Sequence, residues 1–262
     1  MAVLLALLIW ASDTNVLLFH LINDATRWLP VAPLLAFTLW GNTLAGLALV
    51  SGWIRSCPRI LWAVLFALPP GMLFVRGLKL VLAVPRPAAV LDPGTIVVVG
   101  PVYRAFSFPS GHATTAFAFA AIIWLLSRNR PLRIAVLVLA TMVAVSRVLV
   151  GVHWPVDVLV GAAGGWVCGS LGVFVATRYR WTANKFGQRG AALIAACAGV
   201  GLLFTRFSQP FEAATGWILA TYAFAMAGLS LRALQAEPAD DLGGESALVE
   251  GVEVKSRRAA SD

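Results

Sequence analysis

Ser146 to Asp157 reads SRVLVGVHWPVD and sets Arg147, His153 and Asp157 at the end of a long apolar run. Ionisable groups are costly in hydrocarbon, so inside membrane-type sequence they mark a site by default. His153 and Asp157 are four residues apart, a spacing that shares one face of a helix. A carboxylate beside an imidazole fixes the ring's tautomer and stabilises its charged form. Arg147 adds a permanent cation whose planar donor fork suits phosphate. An oriented base and a cation, with no evident set of metal ligands, suggest covalent chemistry on an anion. The competing interpretation is a charged patch at a helix end that pairs only with itself.

Two further groups have compatible chemistry. Lys79 and Arg86 are seven residues apart, about two helical turns, so both cations can point the same way. Pro85 and Pro87 end that helix. Alone, the pair is equally well explained as two bases snorkelling from a span end. Phe108-Pro109-Ser110-Gly111-His112 opens a helix. Ser110 can cap it, Gly111 allows an anion close to the backbone, and the free N–H groups and helix dipole favour phosphate. His112 stands beside that pocket, placed to give a proton to a leaving oxygen. Alone, this stretch also fits a capped helix start with an incidental histidine.

The elements that must hold these groups are membrane helices. Of the 262 residues, 60% are hydrophobic and 12% charged, against about a quarter charged in a soluble domain. The net charge of +8 belongs with cytoplasmic loops and anionic headgroups rather than nucleic acid, and no basic-aromatic stripe is present. Cys57, Cys168 and Cys197 match neither a CxxC pair nor a zinc site and are expected to be small buried or reduced residues.

Spans are expected at 31–53, at 60–84 with an interruption at Pro69-Pro70-Gly71, and at 111–126, 134–152 and 156–176. A final hairpin is expected at 190–204 and 215–234. Met1 to Trp10 is too short to span alone. It is expected to be a half-inserted helix, or the tail of a first span whose start lies upstream. Asp13 to Trp28 is expected to form an interfacial helix. The loops at 54–59, 127–133 and 178–189 hold two, three and four basic residues, which makes their side cytoplasmic. The reactive residues then meet on the opposite face. The expected organisation is an N-terminal segment at 1–30, a core at 31–177, a loop and hairpin at 178–234, and a disordered cytoplasmic tail at 235–262.

The order Lys79-x6-Arg86-Pro87, Pro109-Ser110-Gly111-His112 and Ser146-Arg147-x5-His153-x3-Asp157 resembles the tripartite signature of the type 2 phosphatidic acid phosphatase superfamily. The resemblance covers about Asp13 to Ala176. It implies an all-α, polytopic membrane helical bundle: a six-span phosphatase core with a short or truncated first span, followed here by the C-terminal hairpin. It implies a lipid phosphatase in which His153 is the nucleophile, Asp157 orients it and His112 is the acid and base. Lys79, Arg86, Ser110, Gly111 and Arg147 would hold the phosphoryl oxygens, and Tyr103 and Arg104 are candidates either for headgroup contacts or for a structural role in their loop. No metal and no cofactor are expected. The expected partners are the bilayer and a lipid phosphate: undecaprenyl pyrophosphate, phosphatidylglycerol phosphate, phosphatidate or lipid A. The expected location is a bacterial inner membrane, with the site facing outward. A lipid-to-lipid phosphotransferase, a vanadate haloperoxidase and a non-enzymatic transporter or scaffold are the competing classes.

Overall fold

The computed structural model describes residues 1–207 and 210–236, so the tail expected at 235–262 lies outside the described residues from 237 onward. Among the described residues the regular structure is entirely helical. Its elements are α1 (Ala2–Ala11), α2 (Asn15–Asp24), α3 (Val31–Trp40), α4 (Thr43–Val50), α5 (Arg59–Leu82), α6 (Pro87–Val90), α7 (Gly111–Leu126), α8 (Arg130–Leu149), α9 (Pro155–Arg178), α10 (Lys185–Phe204) and α11 (Pro210–Ala236). Among the described residues five segments are long and apolar enough to cross a membrane: Arg59–Val90, Arg130–Leu149, Pro155–Arg178, Lys185–Phe204 and Pro210–Ala236. The chain is an all-α membrane bundle, as expected.

Helix α9 is the central post, packed against α5, α7 and α1. Its glycines permit that. A Cβ at Gly161 would lie 2.6 Å from the Ser110 carbonyl oxygen, and one at Gly165 would overlap the Thr114 carbonyl. Backbones can approach this closely only where the interface carries small residues. The contact fixes the register of α9 against α7, and so the height of His153 and Asp157 relative to Ser110 and His112. Helix α7 has 16 residues and rises about 24 Å, short of the roughly 30 Å hydrocarbon core. Its short rise leaves room for the polar loop that roofs the site.

The structure corrects three expectations. The span expected at 31–53 is broken into α3 and α4 at Gly41-Asn42. Asn42 caps α4, its Oδ1 accepting from the N–H groups of Leu44 at 2.8 Å and Ala45 at 3.4 Å. A side chain at Gly41 would run into the His112 ring. The break thus brings backbone against the site. Helix α5, by contrast, runs unbroken through Pro69 and Pro70. Membrane helices tolerate such prolines where neighbours re-satisfy the freed carbonyls. Helix α2 is more than an interfacial helix. It meets α1 at a bend of 110° and buries Phe19 and Asn23, and the turn after it buries Thr26.

The last hairpin is longer than expected, because α10 starts at Lys185 and α11 runs from Pro210 to Ala236. Trp62 near the start of α5 donates to the Gly187 carbonyl at 2.9 Å and packs edge-on against Trp181. The basic loops at 54–59 and 178–189 therefore share one end of the bundle.

Candidate active site

Helix α9 opens with Pro155 at its first position, which suits a helix start. Asp157 lies in that first turn, and its Oδ2 accepts from the Trp154 N–H at 2.9 Å. The same oxygen faces His153 Nδ1 at 3.2 Å. With Nδ1–H donated to the carboxylate, Nε2 is left as the ring nitrogen carrying a lone pair. Both side chains are buried. The Asp157 carbonyl accepts from the Ser110 N–H at 3.0 Å, tying the start of α9 to the start of α7. Ser110 caps α7 through the Ala113 N–H at 3.5 Å.

The loop at 85–109 is held over this corner by its own cations. Arg86 donates from Nε to the Ala105 carbonyl at 2.9 Å and from Nη1 to the Val152 carbonyl at 2.8 Å. Lys79 Nζ donates to the carbonyls of Phe106 and Ser107. Tyr103 stacks on the Arg86 guanidinium, 5.1 Å from the ring centroid. Arg104 instead donates to the Ala88 carbonyl at 3.2 Å and is absent from the cavity wall.

The far wall is locked from α2. Asn23 Nδ2 donates to the carbonyls of Val97 at 2.8 Å and Leu149 at 2.7 Å, and its Oδ1 accepts from the Val97 N–H at 2.8 Å. Gly151, at φ +77°, lies where a Cβ would strike the Val97 carbonyl, so only glycine fits there.

These elements enclose a cavity of about 290 Å³. Arg86, Tyr103, His112, Arg147 and His153 line it, with Asn42 and the tip of the C-terminal hairpin. A second, largely apolar groove of about 360 Å³ starts from the same His112 and Asn42. It descends between α5 and α7 past Gly111, Val75, Leu68 and Phe119. Burial is the largest influence on His153 and pushes its imidazole down to about 4, against the Asp157 hydrogen bond, which pulls it up. The ring is thus neutral at physiological pH. Among the described residues no three His, Cys, Asp or Glu side chains gather as a metal ion requires.

Three residues of this corner escaped the sequence analysis. Ser107 is fully buried and donates from Oγ to Asp157 Oδ2, with His153 Nδ1 at 3.5 Å. Asn42 sits where both cavities meet. Asn23 clamps the wall. Of these, only Asn42 had a readable signal: Gly41-Asn42-Thr43 is a cap sequence inside an apolar run.

A protein-family model described as the PAP2 superfamily matches residues 60–185, which contain all three constellations. Residues 60–185 form a PAP2 superfamily domain. The undecaprenyl-diphosphatase of Sulfolobus acidocaldarius is 35% identical over 104 residues, 40% of this chain and 47% of that protein. The lipid A 1-phosphatase of Rhizobium etli is 48% identical over 61 residues, 23% of this chain and 25% of that one. The chain thus matches less than half the length of these relatives. The crystal structure of Aquifex aeolicus LpxE superposes with a TM-score of 0.56 at 27% identity, covering 63% of this chain and 95% of that one. With these likenesses and its five apolar helices, the chain is an integral membrane protein. The hairpin α10–α11 lies almost wholly beyond the PAP2 match, yet its tip reaches the cavity.

Proposed function

We propose that this chain is a lipid phosphatase, a phosphoric ester or anhydride hydrolase acting at the extracytoplasmic face of a bacterial inner membrane. The observation that carries the proposal is His153, held by Asp157 and lining a cavity that also holds His112 and Arg147. His153 Nε2 attacks phosphorus while the bond to the leaving oxygen breaks, and His112 gives that oxygen its proton. Water, deprotonated by His112, then attacks the phosphohistidine. The P–N bond breaks, phosphate leaves and His153 returns neutral. Asp157 holds the ring and balances its transient charge. Arg147, Arg86, Lys79 and the capped start of α7 at Ser110 and Gly111 supply the positive field for the phosphoryl oxygens. Such a field does the work a metal ion would otherwise do, so turnover is metal-independent.

The apolar groove below His112 supports a lipid substrate, because it gives a tail somewhere to lie while the phosphate reaches the cavity. Candidate substrates are undecaprenyl pyrophosphate, phosphatidylglycerol phosphate, phosphatidate and lipid A. The test is phosphate release from a panel of these lipids by detergent-solubilised protein in EDTA, with His153→Ala beside it. We expect release by the parent protein and none by the variant. Equal release by both would remove His153 as nucleophile, and loss of activity in EDTA would remove the metal-free mechanism.

A further inference from the structure

The C-terminal hairpin contributes a wall of the catalytic cavity although it lies almost wholly beyond the PAP2 match. The described residues on either side of its tip pack together. The Phe207 ring packs against Gly216 of α11, where a Cβ would overlap it, and against the cluster of Leu202 and Leu219. The residue before Phe207 is Arg206, and the first turn of α11 carries the buried Glu212. Both line the cavity.

Their charges differ in availability. Glu212 shares the cavity wall with Arg147, a group of opposite charge. Among the described residues Arg206 has no ion-pair partner. Lys79 and Arg86 spend their donors on loop carbonyls. The cavity also exceeds one phosphoryl group. At about 30 Å³ for each water-sized group, the four oxygens of a phosphate take less than half of the 290 Å³.

We propose that Arg206 is a specificity-determining residue that binds a second anionic group of the substrate, the phosphate next to the one transferred to His153. This rests on the lipid phosphatase assignment above. In a lipid diphosphate, attack at the terminal phosphorus breaks the P–O–P bridge and leaves a lipid monophosphate. Arg206 pairs with the charge that this leaving phosphate gains, and a planar guanidinium suits it.

The test compares one lipid chain carrying either a diphosphate or a monophosphate, using the full-length protein and its Arg206→Gln and Arg206→Lys variants. We expect Arg206→Gln to lower kcat/KM for the diphosphate about tenfold more than for the monophosphate, the effect of one charge-assisted hydrogen bond. Arg206→Lys should restore part of that difference. Equal losses on both substrates, or none on either, would overturn the proposal. If the parent protein cleaves neither lipid, the lipid phosphatase assignment itself fails, an outcome distinct from loss of the Arg206 preference.

Discussion

At the level of single residues, the corner at His153 is a burial problem solved by one carboxylate. Asp157 Oδ2 takes the Trp154 N–H, the Ser107 hydroxyl and the His153 Nδ1, so the ring cannot turn without breaking a shared acceptor. Spacing alone gave the His153–Asp157 pairing. It could not give Ser107, which arrives from a loop fifty residues earlier in the chain through tertiary contact. The pH dependence follows from the same burial. The His153 imidazole is pushed down to about 4, so Nε2 keeps its lone pair until the pH falls near that value. The acid limb of kcat/KM should therefore lie near pH 4, activity falling as pH drops through it. An acid limb near the ordinary histidine value of about 6.5 would contradict that assignment.

At the level of elements, long unbroken apolar runs were the most legible feature. Helix α9 lies within two residues of where hydropathy placed it and α8 within four, because in lipid the backbone must satisfy itself as helix. The failures fell where tertiary contacts decide. The break between α3 and α4 serves the site by bringing Gly41 against His112, and hydropathy averages over it. The Pro69-Pro70 pair read as a break, but packing carries α5 through it. The register of α9 against α7 depends on Gly165. Gly165→Ala should lower the detergent melting midpoint and cost about 1–3 kcal/mol or more, the usual range for overpacking, with activity lost in parallel. Gly228→Ala faces open space and should do neither. If the two variants behave alike, close approach at Gly165 is not what sets the site.

At the level of the whole molecule, the basic loops collect at one end and the reactive residues at the other. The charge asymmetry in the sequence carried this division, because all three basic loops fall between spans of matched direction. A cysteine at Gly94, in the exposed loop above the site, should react with an impermeant thiol reagent in intact cells. Labelling only after lysis would reverse the orientation. The hairpin was legible as two apolar runs but not as a wall of the cavity, since nothing in its periodicity says where its tip docks. The central claim is that phosphorus passes through His153. The direct measurement is rapid acid-free quenching of full-length protein with ³²P-labelled lipid phosphate, followed by peptide mapping. We predict a base-stable, acid-labile phosphohistidine on the peptide containing His153, absent from His153→Ala. Steady turnover with no labelled peptide, or label on another residue, would contradict it.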